Sequence, residues 1–222
     1  MTAAHVKTIF FDLDGTLVDS APDLAVSVNQ ALAAIGKKAI SQDAVRSYIG
    51  NGADRLIHRA ITGDYSGTAA APVYEPAKDT FLAHYAEHVC ERSALYPKVE
   101  ETLTRLVNQG YQLACITNKP GQFTTPLLEA LNIGHFFELV LSGDSLERKK
   151  PAPDQLLHAA EHFERKPQAC LMVGDTNTDI SAALNCAMPA LFVTYGYGQA
   201  SDLDSRFDGP HLGDLGEVHD HV

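Results

Sequence analysis

Five short apolar runs alternate with segments of helical periodicity along this chain of 222 residues, and few folds accommodate that alternation. The runs are Val6–Asp12, Tyr111–Thr117, Leu139–Ser142, Cys170–Asp175 and Ala190–Thr194. They show little alternation of apolar and polar residues, which is typical of strands buried on both faces. The segments between them predict helices over Lys98–Gln109, Gly121–Leu131, Pro153–Phe163 and Thr178–Cys186. We therefore predict an α/β fold with a doubly wound parallel sheet, a Rossmann-like core.

The alternation is interrupted once, between the first and second predicted strands, by a segment far longer than a usual βα connection. Apolar residues recur at helical spacing at both of its ends, first at Leu24, Val28, Leu32 and Ile35 and later at Phe81, Tyr85 and Val89. Between these stripes the pattern predicts two short helices and then a loop, at Gln42–Ile49, Ala53–Ile61 and Thr62–Pro76. We expect a core of residues 1–17 and 93–222, with a small all-helical cap of residues 18–92 inserted after the first strand.

The end of the chain carries a weaker pattern. Residues Asp202–Val222 are polar and are expected to form one last short strand or helix and a loose end.

The charge of the chain argues against a nucleic-acid ligand. Lys and Arg number 17 against 28 Asp and Glu, a formal net charge of −11 with neutral histidines, and such a surface repels phosphates. An anionic substrate would need a local cluster of cations or a metal ion. No apolar run is long enough to span a bilayer, and Met1–Phe11 lacks a signal-peptide pattern. Because the four cysteines lack CxxC pairing and metal-like spacing, we expect a reduced cytoplasmic protein. Its expected oligomeric state is a monomer or a homodimer.

Polar side chains stand where the predicted strands end. Asp12–Thr16 ends the first strand, Thr117–Lys119 the second and Gly174–Thr176 the fourth. Asp179 follows one helical turn later, and Lys150 lies in the loop that leads to a helix. In open parallel sheets ligands bind beyond the carboxyl ends of the strands, so we expect these groups to converge on one site.

The residue types at these ends indicate phosphoryl chemistry. Carboxylates without histidine or cysteine partners form a hard oxygen site that suits Mg²⁺ rather than zinc. A cation, a lysine and backbone N–H groups suit a phosphate, and Gly15 lets the chain turn its amides toward an anion. Each residue alone also has a structural interpretation: Asp14-Gly15 as a turn, Asp175 as a helix cap, Lys149-Lys150 as solvated charges. Their joint position at strand ends favours catalysis.

The same residues resemble the four signatures of the haloacid dehalogenase superfamily, in its phosphatase branch. DLDGT at residues 12–16 is similar to the first signature, Thr117 with Asn118 to the second, Lys150 in KKPAPD to the third, and GDTNTD at residues 174–179 to the fourth. They occur in family order on the expected elements, and the resemblance covers the whole chain. It implies a Mg²⁺-dependent phosphomonoester hydrolase that acts through an aspartyl phosphate.

The resemblance also implies a role for each carboxylate. Asp12 would attack phosphorus, and Asp14 would protonate the leaving oxygen and then activate water. Mg²⁺ would be held by the Asp12 carboxylate, the Asp14 backbone carbonyl and Asp175. Since Asp12 must stay ionised, the metal and Lys150 are expected to lower its pKa. Asp14 must hold a proton, so the two carboxylates must differ in environment.

The remaining signature residues would bind the phosphoryl group. The expected contacts come from two catalytic residues, Thr117 and Lys150, and from Gly15, Thr16 and Asn118. Asp179 would act from behind them, by orienting Lys150 or a metal-bound water.

Two segments of the predicted cap, Val18–Leu24 and Tyr48–Leu56, are similar to those of bacterial phosphoglycolate phosphatases. The second contains Gly50-Asn51-Gly52, a turn that opens a helix and offers free N–H groups at its positive end. It could hold the carboxylate of 2-phosphoglycolate, or it could be only a flexible connection. For Arg55 we expect a surface position rather than a substrate contact.

Other functions fit the same core. Related caps serve pyrophosphate, sugar phosphates and an amino-sugar phosphate, and a phosphomutase would use the same aspartyl phosphate. A non-catalytic phosphate-binding protein is disfavoured because a binder has no use for the acid Asp14. His84 and His88 share a helix face, but without a third ligand they are expected to be solvated rather than to bind zinc.

Overall fold

The structure, a computed structural model, describes residues 6–222; the first five residues of the predicted core lie outside this range. Its strands are β1 (Thr8–Phe11), β2 (Val18–Asp19), β3 (Ala94–Leu95), β4 (Gln112–Ile116), β5 (Leu139–Leu141), β6 (Cys170–Gly174), β7 (Ala190–Val193) and β8 (His211–Leu212). Its α-helices are α1 (Ala21–Ala34), α2 (Gln42–Tyr48), α3 (Ala53–Thr62), α4 (Ala71–Glu87), α5 (Val99–Asn108), α6 (Gly121–Ala130), α7 (Asp154–His162) and α8 (Asn177–Leu184).

A six-stranded parallel sheet in the order β5-β4-β1-β6-β7-β8 forms the core. The predicted doubly wound α/β fold is therefore confirmed, and all five predicted strands belong to this sheet. The observed strands are shorter than predicted at their carboxyl ends: β1 ends at Phe11 and β4 at Ile116, so Asp12 and Thr117 lie just beyond the strand pairing. The order reverses at β1, whose carboxyl end is thus the place where a ligand is expected.

Helices cover both faces of the sheet, as the continuous apolar strands predicted. Ile9 and Phe11 pack into one cluster together with α5 and α6 residues such as Leu103 and Leu127. Phe10, which points the other way, packs into a second cluster with residues of α7 and α8. Successive residues of a strand point to opposite faces, so β1 is buried on both.

The four helices α1–α4, which we call the inserted helices, lie between β2 and β3 and share a third apolar cluster. The predicted stripes meet there: Leu24, Val28 and Leu32 of α1 pack with Phe81 and Tyr85 of α4. The short antiparallel ribbon of β2 and β3 joins the two chain segments that connect these helices to the sheet. This ribbon was not predicted, since two residues per strand give no periodicity.

The prediction of a loop over Thr62–Pro76 is wrong in its second half. Helix α4 already begins at Ala71, with Pro72 in its first turn and Pro76 inside it. Proline is tolerated in the first turn, where its missing N–H has no helical partner. Burial of Tyr74 and Ala77 in the third cluster holds the turn around Pro76 in the helix.

The expected loose end is also wrong. Strand β8 supplies the predicted last element, and a 3₁₀ turn over Leu215–Asp220 follows it. Leu215 and Val218 are fully buried in the cluster that contains α5. Two apolar residues three positions apart suffice to dock this turn, although the surrounding sequence is polar.

Within residues 6–222, none of the helices is both long enough and apolar enough to cross a membrane.

Candidate active site

The end of β1 is tied to the end of β6 by a turn that requires glycine. Asp12 N donates to Val173 O at 3.0 Å, and Gly15 follows with a φ of +93°. A Cβ on Gly15 would overlap the Asp175 carboxylate, so only glycine fits here. Thr16 Oγ1 donates to Asp175 Oδ1 at 2.9 Å. The predicted site residues of these two strands are thereby brought into contact.

Three buried carboxylates converge beside this turn. Asp12, Asp175 and Asp179 each offer an oxygen, and these oxygens lie within 4.8 Å of one another. Burial and the Asp179 carboxylate raise the pKa of Asp12 to about 7, and Lys150 only partly opposes this. Burial, Asp179 and Asp12 likewise raise the pKa of Asp175 well above its ordinary value. Lys150 acts in the predicted direction, and the lowering of the Asp12 pKa by the metal stays a prediction.

The cluster fits a divalent cation. When all three carboxylates are ionised, Lys150 offsets one negative charge and two remain uncompensated in a buried place. Asp12 Oδ1 accepts no hydrogen bond, although Lys150 Nζ lies 3.0 Å away. Oxygen donors alone and a deficit of two charges match a hard divalent metal ion. Asp12 and Asp175 could hold it directly.

Lys150 reaches this cluster from the loop before α7. Its Nζ donates to Asp179 Oδ1 at 2.6 Å and to Ile116 O at 2.5 Å. Burial opposes its charge, but Asp12 and Asp179 outweigh burial and raise the pKa of Lys150 above its ordinary value. Asp179 also caps its own helix α8, because its Oδ2 accepts from Thr176 N and Thr176 Oγ1. Lys150 is thus a fixed positive charge at the end of β1.

The end of β4 lies against the same cluster. Thr117 is 1% exposed and lines the cavity together with Asp12. Asn118 also lines the cavity, but its Nδ2 is already used: it donates to Lys150 O at 2.9 Å and to Gly50 O at 3.1 Å. Asn118 therefore connects the lysine loop to the inserted helices.

The predicted turn Gly50-Asn51-Gly52 lies over the core and opens α3. Asn51 Nδ2 donates to Thr178 Oγ1 at 3.0 Å, and Arg59 Nη2 donates to Asn51 Oδ1 at 2.7 Å. Gly52 has a φ of +87°, and a Cβ on it would lie 2.9 Å from the backbone oxygen of Asn118. The turn is thus a close contact between the inserted helices and the strand ends.

Arg55 does not enter this contact. Its guanidinium donates to Tyr65 O and Gly67 O, in the loop that follows α3. Arg55 is half-buried, and these contacts place it against that loop rather than against the strand ends. Arg59, which the sequence analysis did not single out, is 3% exposed and braces the Asn51 turn.

His84 and His88 lie apart from the site. His84 Nδ1 is 3.0 Å from Ser27 Oγ, and His88 Nδ1 pairs with Glu91 at 2.7 Å. Among the described residues, neither belongs to a group of three potential metal ligands.

Asp14 has partners that sequence reasoning missed. Ser20 Oγ donates to Asp14 Oδ1 at 2.6 Å, and Lys119 Nζ lies 3.1 and 3.2 Å from the two Asp14 oxygens. Lys119 Nζ also donates to Tyr85 OH of α4 at 2.7 Å. Lys119 directly follows Asn118, so its position after β4 could have identified it; the Tyr85 hydroxyl was hidden in an apolar stripe.

A second missed contact holds the loop after β7. Tyr197 N donates to Asp175 Oδ2 at 2.8 Å, and its hydroxyl accepts from Ser20 N at 2.8 Å. Tyr197 therefore links the carboxylate cluster to the segment that enters α1.

A cavity of about 40 Å³ opens beside Asp12 and Asp14. Its other walls come from the strand ends and the inserted helices, and they are mostly apolar: Leu24, Ile49, Leu56, Phe81, Tyr85, Pro120 and Phe123. It has room for a few water-sized groups.

This α/β core, with carboxylates and a buried lysine at the carboxyl ends of its strands, matches one class of enzyme. The model of the haloacid dehalogenase-like hydrolases fits residues 9–193, and the chain belongs to this family. It is 44% identical over 203 residues to a phosphoglycolate phosphatase of Nitrosococcus oceani, covering 91% of this chain and 90% of that protein.

Two further comparisons agree. A phosphoglycolate phosphatase of Vibrio cholerae is 40% identical over 221 residues, covering 96% of each protein. The crystal structure of a predicted phosphoglycolate phosphatase from Haemophilus somnus is 38% identical and covers 97% of each chain, with a TM-score of 0.89. The resemblance drawn from the four signatures is confirmed, and the protein is a hydrolase of that family.

Proposed function

We propose that the protein is a Mg²⁺-dependent phosphatase that hydrolyses 2-phosphoglycolate to glycolate and phosphate through an aspartyl phosphate on Asp12. The observation that carries this proposal is the convergence of Asp12, Asp175 and Lys150 beside Asp14 in a buried site. The names of the relatives support the choice of substrate.

In the proposed reaction, an Asp12 oxygen forms a bond to phosphorus while the bond from phosphorus to the ester oxygen breaks. Asp14 gives its proton to that leaving oxygen, so that glycolate departs as an alcohol. A water then attacks the phosphorus of the aspartyl phosphate and passes a proton to Asp14. Cleavage of the acyl-phosphate bond releases inorganic phosphate and restores Asp12.

Residues around this pair would hold the transferring phosphoryl group. Lys150 supplies a point charge, Thr117 a hydroxyl and the Gly15-Thr16 turn its amides. Mg²⁺, held by Asp12, Asp175 and the Asp14 carbonyl, would neutralise phosphate charge and cancel the two excess charges of the cluster. Asn118 contributes by fixing the Lys150 loop.

The inserted helices would act as a cap that selects the substrate, with the boundaries 18–92 given above. The cavity of about 40 Å³ leaves room for a leaving group of a few atoms when these helices contact the core. Closure of apolar walls would also exclude water from the reacting groups.

The setting of the reaction follows from the substrate and the sequence. We propose a small phosphorylated metabolite as the only partner class, with no nucleic acid or membrane. The four free cysteines fit a cytoplasmic location. We further propose a monomer or homodimer.

The test is release of inorganic phosphate from a panel of phosphomonoesters, with Mg²⁺ and with excess chelator. The panel contains 2-phosphoglycolate, ethyl phosphate, a hexose phosphate, an amino-sugar 6-phosphate and pyrophosphate. We expect the highest kcat/KM on 2-phosphoglycolate and reversible loss of activity in chelator. Preference for another member would replace the proposed substrate, an isomeric sugar phosphate would indicate a phosphomutase, and full activity in chelator would refute the metal.

A further inference from the structure

Lys119 is a buried cation that the phosphoryl chemistry does not use. Its side chain is 3% exposed, and its ammonium group contacts both oxygens of Asp14 and the hydroxyl of Tyr85. Lys150 serves the other carboxylate, Asp12, and does not share these partners. Lys150 therefore pairs with Asp12 and Lys119 with Asp14, the two aspartates proposed to carry out the reaction.

Among the described residues that line the cavity beside Asp14, Lys119 is the only cation. Its ammonium group forms an ion pair with Asp14 at 3.1 and 3.2 Å, which favours the charged lysine. Tyr85 belongs to α4 of the inserted helices, and its ring packs edge-on against Phe123 of the core helix α6 at 4.9 Å, which holds the hydroxyl in place. A permanent positive charge thus faces a cavity with apolar walls, where an ion pair is strong.

Two observations indicate that Lys119 pairs with an anionic group of the substrate. Asp12, Asp175 and Asp179 cluster on the other side of the site, whereas Lys119 is the cation that lines the cavity beside Asp14, so a substrate carboxylate is attracted toward the Lys119 side. In 2-phosphoglycolate, one methylene separates the ester oxygen from the carboxylate. A substrate whose ester oxygen lies against Asp14 therefore brings its carboxylate within reach of the ammonium group beside Asp14.

We propose that Lys119, positioned by Tyr85, binds the carboxylate of the leaving group and so selects phosphomonoesters that carry a carboxylate next to the ester carbon. This inference rests on the proposed phosphatase function. On binding, the substrate carboxylate replaces Asp14 as a partner of Lys119 and frees an Asp14 oxygen for the ester oxygen. A leaving group without a carboxylate leaves Lys119 paired with Asp14.

The experiment measures kcat and KM of the Mg²⁺-loaded enzyme on 2-phosphoglycolate and on ethyl phosphate, which has a methyl group in place of the carboxylate. Lys119→Met removes the charge and keeps the length of the chain. We expect its KM for 2-phosphoglycolate to rise about 30-fold, the equivalent of one lost charged hydrogen bond, with less than about 3-fold change in KM for ethyl phosphate. Loss of the Asp14 contact is expected to lower kcat on both substrates alike.

Two further variants complete the test. Lys166→Met removes one positive charge from an exposed position and is expected to leave the ratio of the two kcat/KM values unchanged. Tyr85→Phe keeps the ring but removes the hydroxyl, and is expected to raise the KM for 2-phosphoglycolate alone by about 5-fold. If Lys119→Met does not fold, the difference in KM between the two substrates in Tyr85→Phe decides whether Lys119 binds the substrate carboxylate.

Equal changes in KM on both substrates, in Lys119→Met or in Tyr85→Phe, would overturn the inference and leave Lys119 as a positioning residue for Asp14. The proposed function fails separately: in that case the parent enzyme itself shows no preference for 2-phosphoglycolate over ethyl phosphate.

Discussion

Lys150 Nζ lies 2.6 Å from Asp179 Oδ1, and both side chains are 1% exposed. The two residues come from the loop before α7 and the first turn of α8, which approach each other only at the carboxyl end of the sheet. Asp179 uses its second oxygen to cap α8. One carboxylate therefore fixes both the direction of the lysine and the start of a helix.

This double role makes Asp179→Asn a test of positioning. The amide cannot accept on both sides, so either Lys150 or the Thr176 cap loses its partner. We expect kcat/KM on the preferred substrate to fall at least about 10-fold, since Lys150 would turn toward its other carboxylate, Asp12. The control Asp154→Asn changes an exposed pair with Arg148 and should stay within about 2-fold of the parent. An unchanged rate in Asp179→Asn would mean that Asp12 alone orients the lysine.

Asp12→Asn should separate activity from stability. A neutral amide cannot attack phosphorus, so no turnover is expected. In chelator the variant should nevertheless unfold at a higher temperature than the parent, because Asp12 is a buried charge whose pKa is raised to about 7. We expect its free energy of unfolding in chelator to exceed that of the parent by about 1–3 kcal/mol. Phosphate release and thermal melts in chelator measure the two effects, and residual turnover at the parental level would remove Asp12 from the chemistry.

Asp14→Asn should show a dependence on the leaving group. An alkoxide needs a proton to depart, whereas a nitrophenolate does not. We expect a loss of about 1000-fold with 2-phosphoglycolate, within the usual range for a general acid, and a far smaller loss with an aryl phosphate. Equal losses on both substrates would give Asp14 only a structural or metal-binding role.

The strands and the carboxyl-end residues were predictable because residues such as Ile9 and Phe10 are buried on opposite faces and leave no alternation. Their position then placed Asp12 and Asp175 at one edge. What the sequence did not predict depends on single contacts across the chain. The hydroxyl of Tyr85 lies in an apolar stripe, and only the approach of α4 to the end of β4 reveals it as a partner of Lys119.

The pKa of Asp12 was the second property that the sequence did not predict. The motif predicted that the metal and Lys150 would lower the pKa of Asp12; Lys150 acts in that direction, but burial and the nearby Asp179 carboxylate outweigh it. Neither can be read from spacing along the chain.

Asp23 gives a prediction for pH. This carboxylate, in the first turn of α1, accepts hydrogen bonds from Ser93 Oγ at 2.6 Å and from the backbone N–H groups of Glu91, Arg92 and Ser93. Burial opposes its charge, but these bonds outweigh burial and lower the pKa of Asp23. Its contribution to stability is therefore present above about pH 4, the ordinary value, and is lost as the pH falls through the lowered value.

Asp23→Asn is the corresponding variant. At pH 7 we expect its free energy of unfolding to be about 1.5–3 kcal/mol below that of the parent, the usual worth of charged hydrogen bonds. The difference should shrink as the pH falls below about 4, because the parent then loses the charge as well. Denaturant unfolding of both proteins between pH 7 and pH 3 measures this difference. If the difference in the free energy of unfolding did not depend on pH, the charge of Asp23 would not be what holds α1 to residues 91–93.

Gly52 offers a test of how the inserted helices read the substrate. At its φ of +87° a side chain is strained, and a Cβ would lie 2.9 Å from Asn118 O and 2.7 Å from Lys149 Nζ. The lysine can move, but the backbone oxygen of Asn118 cannot, so in Gly52→Val the turn must lift away from the core.

If the lifted turn no longer closes the cavity, 2-phosphoglycolate loses its enclosure, whereas an aryl phosphate is bound mainly through its phosphoryl group. We therefore expect the KM of Gly52→Val to rise about 10-fold or more for 2-phosphoglycolate and much less for the aryl phosphate. Gly63→Val is the matched control, at the other end of α3, with a φ of +70° and no atom within 4 Å of its Cβ. It carries similar backbone strain without a contact to the core, so both KM values should stay near those of the parent. If both variants affect the two substrates alike, strain in α3 explains the loss and another part of the inserted helices must select the substrate.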